Sequence, residues 1–299
     1  MPVSAVIPTR NRPDLLRRAL ASVFAQTRPA DEVIVACHES ERASVEAVAG
    51  PWSERIRIVA HGTHGAALAR NAAIDAATGK WLAFCDDDDE WMPDRLERLA
   101  RLADANPDLV AVYSDATVSG GSRGGSRGPT IFSRQSPYAG SIRERLWEDN
   151  PIPTSSVLAR REVVARLGGF RHRFEPAEDY DLWLRLAAVG PIAFDPKPLC
   201  VYHLHGAQTG RLAAVMFPAC AAAIEEDLRE AGATAGGRVV QRLWSLHIVA
   251  AKALARIGDA DAADAHWRSA IRLRPWHVGT RFAAWRRNTK GETLAFGRS

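Results

Sequence analysis

Short apolar runs alternate with segments of helical periodicity along the first two-thirds of the chain. Val3 to Ile7 is an apolar run of strand length, and Pro13 opens a stretch with Leu15, Leu16, Ala19, Leu20, Val23 and Phe24 at helical spacing. Glu32 to Cys37 reads as a second strand, residues 41–49 as a helix and Arg55 to Ala60 as a third strand. Ala66 to Ala77 reads as a helix that Gly79 can stop, followed by a fourth strand from Lys80 to Cys85. Pro93 opens a helix carrying Leu96, Leu99 and Leu102, and Leu109 to Tyr113 is a fifth strand. Strands separated by helices predict an α/β fold with a mostly parallel sheet covered on both faces.

Beyond this the punctuation changes. Ser119 to Pro129 is rich in glycine and serine, can bury nothing and reads as a surface loop. Ser155 to Leu158 reads as a strand, and Glu162 to Leu167 as a helix ended by Gly168-Gly169. Glu178 to Val189 is a strong amphipathic helix, followed by short strands at 192–194 and 199–203. After Gly210 the pattern is helical and alanine-rich throughout, which places a boundary near residue 210. Residues 246–277 look like one tetratricopeptide-type helix pair, a unit that must pack on the rest of the chain or on another chain.

Composition narrows the class without naming a chemistry. With 46% hydrophobic and 25% charged residues, a mostly disordered chain, a collagen-like fibre and a disulfide-rich mini-protein are excluded. No apolar run nears the roughly 18–20 residues that span a bilayer. The first residues lack a basic segment, so no secretory signal is expected. Cys37, Cys85, Cys200 and Cys220 stand far apart, which fits a reduced, cytoplasmic setting better than disulfides or a zinc cluster. The net charge of +4 is unevenly spread. From Trp267 onward eight basic residues face the single acid Glu292, and Trp276, Phe282 and Trp285 interleave with Arg281, Arg286 and Arg287. Such a tail is either a solvated face with core tryptophans or a contact for an anionic membrane surface. No nucleic-acid module accompanies the charge, so no nucleic-acid partner is expected.

Two clusters carry chemistry. Asp86-Asp87-Asp88-Asp89-Glu90 directly follows the fourth strand. Five adjacent acids repel one another, and ligands of open α/β sheets bind beyond the carboxyl ends of strands, so a divalent cation site is expected there. The alternative is a solvated acidic turn that caps the helix after Pro93. The second cluster is Glu178-Asp179-Tyr180-Asp181 at a helix start, where Asp179 can be either a helix cap or a catalytic carboxylate.

The segments VIPTRNRP (6–13), ALARNAAIDAATGKWLAFCDDDDEWMPDRL (67–96), SSVLARREVVARLGGF (155–170) and AEDYDLWLRL (177–186) resemble glycosyltransferase family 2, the inverting enzymes of the GT-A fold. Four blocks in the family's order and spacing carry the resemblance, which covers roughly residues 3–210. It implies a GT-A domain at 1–210, with a nucleotide-sugar-binding half at 1–115 and an acceptor half at 116–210, then a helical extension at 211–299. It also implies a nucleotide-diphosphate sugar donor, a hydroxyl acceptor on a glycan or glycolipid, and Mg²⁺ or Mn²⁺. Matched from Trp91-Met92-Pro93, Asp88 falls on the metal-ligand position and Asp87 on the ribose-binding position, with Asp86 a supporting acid. Thr9 and Arg10 would lie against the base, and Arg70 and Asn71 match an A-R-N element near the donor. Without its neighbours Arg70 would read as a surface helix arginine. Asp179 matches the E-D catalytic base, and His205 in Tyr202-His203-Leu204-His205 a late element near the metal or diphosphate. Cell-envelope polysaccharide synthesis at the inner face of the membrane is the family's commonest use, and a homodimer is left open.

Two departures stand out. Arg10 occupies a place where the family often has an aromatic residue, and Cys37 and His38 stand where an acidic pair usually reads a uracil edge. A UDP donor therefore does not follow from the resemblance. The rival readings are a degenerate transferase that acts as a scaffold, and a sugar-nucleotidyltransferase. The latter is disfavoured because Thr9-Arg10-Asn11-Arg12-Pro13 contains no glycine to cradle a triphosphate.

Overall fold

A computed structural model describes residues 1–120, 129–134, 136–203 and 210–275. The chain divides into two compact units, Met1–Gly206 and Ala207–Ser299.

The first unit is built on a mixed sheet, eight-stranded among the described residues, in the order β3-β2-β1-β4-β7-β6-β8-β5. The strands are β1 (Val3–Pro8), β2 (Glu32–His38), β3 (Ile56–His61), β4 (Trp81–Phe84), β5 (Glu90–Trp91), β6 (Ala111–Ser119), β7 (Leu158–Arg160) and β8 (Ile192–His203). The helices between them are α1 (Pro13–Phe24), α2 (Arg42–Ala49), α3 (Ala66–Ala76), α4 (Arg95–Ala105), α5 (Arg143–Glu148), α6 (Arg161–Arg166) and α7 (Glu178–Val189). β1 pairs in parallel with β2 on one side and β4 on the other, and β2 with β3. A central parallel strand must be apolar on both faces, and every residue of β1 is buried. The chain runs outward from β1 to β3 and then crosses back to β4, so a crevice opens beyond the carboxyl ends of β1 and β4.

The strand–helix alternation through α4 is as the periodicity predicts. The sheet's other half is less parallel than predicted, because β7 runs antiparallel to both β4 and β6. The strand expected at 155–158 is instead a tight 3₁₀ turn at Thr154–Ser156, with sheet pairing only from Leu158. Pro153 precedes the turn, and the hydroxyls of Thr154 and Ser155 bond to carboxylates. The two short strands expected at 192–203 are one strand. Register shifts around Asp115 on its partner β6 let it pass Pro196 and Pro198 without leaving the sheet. β5 and α5 carry too little periodicity to be foreseen.

The core lies between sheet and helices, with Ile7, Leu20, Val35, Leu96, Leu99 and Leu158 fully buried. Each contributes about 1.5–3 kcal/mol through burial. At Gly79, just before β4, a side chain would put its Cβ 2.4 Å from the Ser4 hydroxyl, so only glycine admits this approach of the turn to β1.

The second unit contains, among its described residues, α8 (Gly210–Glu230), α9 (Gly237–Arg256) and α10 (Ala260–Leu273). Val239, Leu243, Leu246, Ala250 and Leu254 repeat at helical spacing and form the buried face of α9. Asp259 caps α10 by accepting from the Ala262 amide at 3.0 Å. The expected helix pair is thus α9 and α10. The glycine-rich loop at 121–128, His205 and the tail from 276 onward lie outside the described residues. No helix among the described residues is long and apolar enough to cross a membrane.

Candidate active site

Beyond the ends of β1 to β4 lies a cavity of about 280 Å³. Thr9 and Arg10 enter it from β1, His38 from β2, His61 from β3, Arg70 from α3 and Asp86 to Asp88 from the turn after β4.

The acidic turn splits its carboxylates between two tasks. Asp87 turns toward β1, where its carboxylate accepts from the Thr9 hydroxyl at 2.8 Å, the Arg10 amide at 3.3 Å and Arg12 Nη1 at 3.2 Å. Burial pushes the Asp87 carboxyl up to about 6 in spite of these donors. Asp86, Asp88 and Asp89 bring carboxylate oxygens within 4.8 Å of one another. Asp89 is deeply buried, accepting from the Ser155 hydroxyl at 2.6 Å and the His203 amide at 3.0 Å. Its carboxyl is driven well up, first by burial and then by the charge of Asp86. Asp88, half-buried like Asp86, pairs with Arg12 Nη1 at 2.7 Å. Three hard oxygen donors whose mutual repulsion is only partly relieved by arginine fit a Mg²⁺ or Mn²⁺ ion.

Arg70 joins this turn to the start of α7. Its guanidinium is buried, with Nη2 2.6 Å from Asp86 Oδ1 and Nη1 2.7 Å from Glu178 Oε1. Burial works against the charge, but Asp86 and Glu178 hold Arg70 more firmly protonated than a free arginine. The surface reading of Arg70 is thereby excluded. The neighbouring Asp179 accepts from the Thr154 hydroxyl at 3.0 Å and the Tyr180 amide at 2.6 Å. Burial, and next the Glu178 carboxylate, push the Asp179 carboxyl up to about 7. The Tyr202 phenol is pushed up to about 12, by burial and then by the fields of Asp89, Asp179, Asp86 and Asp88. One hydroxyl therefore senses both acidic groups.

Asn71 is not among the residues lining the cavity. Its amide is clamped to Phe170, donating to the carbonyl at 2.7 Å and accepting from the N–H at 2.8 Å. Gly169 permits the clamp, since φ is +68° there and a Cβ would meet Asn71 Oδ1 at 2.4 Å. Cys37 faces the core with its thiol pushed up to about 11 by burial, so only His38 of that pair reaches the cavity. Sequence reasoning overlooked Asp89, Ser155, Thr154, Glu178 and Tyr202 as site residues. Asp89, Glu178, Ser155 and Tyr202 stood inside recognised motifs, whereas Thr154 gave no local signal.

The sequence profile of Glycosyl transferase family 2 matches residues 4–168, more than half of the chain. An uncharacterized glycosyltransferase of Haemophilus influenzae is 28% identical over 209 residues, covering 67% of this chain and 68% of that protein. The amylovoran biosynthesis glycosyltransferase AmsE of Erwinia amylovora is 27% identical over 194 residues, covering 64% and 71%. Among solved structures, a mannosyltransferase from Pyrobaculum calidifontis in complex with GDP-Man and Mn²⁺ superposes with a TM-score of 0.60. It is 19% identical and covers 96% of this chain and 80% of its own. Residues 1–349 of Staphylococcus aureus TarS superpose at 0.61, with 17% identity and coverage of 95% and 83%. At such identities the likeness establishes the fold, GT-A with a helical extension, and nothing finer.

Proposed function

The chain belongs to glycosyltransferase family 2 and is a glycosyltransferase, and from that premise we propose that it moves a sugar from a nucleotide-diphosphate donor to an acceptor hydroxyl in one inverting displacement. The observation that carries this reading is the Arg70 bridge, which ties the three-carboxylate cluster to the helix start bearing Asp179. Asp179 does not itself line the cavity; it is joined to the cation-binding acids through its neighbour Glu178 and Arg70.

In this reading Asp88, with Asp86 and Asp89, holds Mg²⁺ or Mn²⁺, which supplies positive charge to the departing diphosphate. Asp87, Thr9 and Arg10 form the wall for the nucleoside half of the donor. Asp179 takes the proton from the acceptor hydroxyl as that oxygen attacks the anomeric carbon from the face opposite the diphosphate. The bond to the diphosphate oxygen breaks in the same step and the configuration inverts. A carboxylate raised toward neutrality is a stronger base than a free aspartate, and Arg70 keeps the rise in bounds. Thr154 fixes the orientation of the base through Oδ2.

The likeness to AmsE, named for amylovoran biosynthesis, supports a polysaccharide or glycolipid acceptor in the cell envelope, reached from the cytoplasmic face. The basic C-terminal tail supports peripheral contact with an anionic membrane there.

A screen of nucleotide-sugars for hydrolysis and transfer, with Mn²⁺, with Mg²⁺ and with EDTA, tests the reading. Turnover of at least one donor, abolished by EDTA, is expected. A chain that neither binds nor consumes any donor with either ion contradicts it and favours the scaffold.

A further inference from the structure

The end of the cavity away from the acidic turn is lined by imidazoles. Parallel pairing sets His38 at the end of β2 beside His61 at the end of β3. His64, in the loop that follows, stacks on His38 with ring centroids 3.9 Å apart and planes 20° apart. His61 meets His38 edge-on, at 6.4 Å and 83°. Both ring nitrogens of His61 are buried and have no hydrogen-bond partner among the described residues. Unsatisfied buried nitrogens lining a cavity are costly unless a ligand pairs with them.

The hydrogen bonds of His38 settle what it offers. Its Nδ1 accepts from the Ser40 amide at 3.3 Å, with the Ser40 hydroxyl 2.8 Å away. The backbone N–H assigns the lone pair to Nδ1, so in the neutral ring the proton sits on Nε2. Arg10, exposed at the end of β1, adds a guanidinium to the same end. Among the described residues no carboxylate hydrogen-bonds to these groups, although Glu41 lies near enough to His64 to act on it electrostatically. Glu41 turns aside to the Asn11 amide at 2.9 Å, Asp87 is held by Thr9 and Arg12, and Glu175 caps the first amides of α3.

On the reading that this cleft binds a nucleotide-sugar, its acidic end takes the diphosphate and the imidazole end takes the base. We propose that this chain reads the donor's base through N–H donors, His38 Nε2 in the plane of its ring and Arg10, and so takes a guanine nucleotide in preference to a uracil one. Guanine carries two adjacent acceptors, O6 and N7, on one edge. Uracil separates its two carbonyl oxygens by an imide N–H, which would face another donor here. Adenine sets an amino group beside N7 and matches one contact only. Cytosine also offers adjacent acceptors, O2 and N3, so CDP is expected to bind more tightly than UDP.

Calorimetric titration with GDP, CDP, UDP and ADP, each with Mn²⁺, tests this. GDP is expected to bind about tenfold or more tighter than UDP, the discrimination of one good paired edge. His38→Asp restores an acceptor and should bring the GDP-to-UDP ratio to one or below. Arg10→Ala, at an exposed site that does not endanger folding, should weaken GDP several-fold and weaken UDP less, so that the GDP-to-UDP ratio falls. UDP binding as tightly as GDP, or ratios unmoved in both variants, overturns the base assignment while leaving the transferase reading intact. Failure of all four nucleotides to bind overturns both.

Discussion

The two ends of the cleft are built alike and furnished differently. Both lie beyond the carboxyl ends of parallel strands, yet the β4 end gathers carboxylates and the β2–β3 end gathers imidazoles. The acidic end must meet fixed demands, because any diphosphate leaving group needs positive charge and any hydroxyl nucleophile needs a base. On the proposed function the imidazole end would touch no reacting atom, so its side chains could change without loss of the chemistry. Reaction and recognition would then be separable along the crevice, and substitutions at the two ends should fail in different ways.

The largest effect is expected at Asp179. Asp179→Asn should lower turnover about 10²–10⁴-fold while donor affinity stays near wild type, the signature of a lost general base. Near-normal turnover would remove Asp179 from that role.

Arg70→Met strikes the bridge between the acidic turn and α7. Removing the cation that pairs with both leaves the buried Glu178 and the half-buried Asp86 uncompensated, an expected cost of up to about 3–5 kcal/mol in denaturant unfolding. A midpoint unchanged from wild type would show that the bridge does not hold the two parts together.

A smaller effect is expected with pH. Asp179 must be ionised to act, so turnover should fall as pH drops below about 7, by about tenfold per unit. The same shift has a stability consequence of opposite sense. The folded chain keeps this proton up to about 7 whereas the unfolded chain releases it near 4, so folding is weakened as pH rises through that window. Thr154→Val, smallest of the set, removes a donor that favours the charged form. It should move the midpoint of the rate profile upward with a several-fold loss of turnover at neutral pH. A flat profile, or a midpoint moving down in the variant, would contradict the assignment.

How legible each end was follows from the range of the interactions. The β1–α4 alternation and the acidic run are local patterns, and both were readable as they stand. The E-D pair was readable as chemistry but not as a partner of the acidic turn, since Arg70 meets it across 108 positions. Ser155 looked like a strand residue because a hydroxyl bonded to a carboxylate far away in sequence has no periodicity. His38 was visible as a departure, but its pairing with His61 depends on strand register, and its proton position on a turn at Ser40. Asp195-Pro196-Lys197-Pro198 reads as a break in any strand. Only the compensating shift on β6 keeps it in the sheet.

The claim on which the rest stands is that Asp88 and its neighbours hold a cation that engages the donor diphosphate. Measuring nucleoside-diphosphate affinity with and without Mn²⁺, in the wild type and in Asp88→Ala, tests it directly. The wild type should bind more tightly when Mn²⁺ is present, and the variant should show no such gain. An Asp88→Ala protein that keeps the full Mn²⁺-dependent gain would contradict the account.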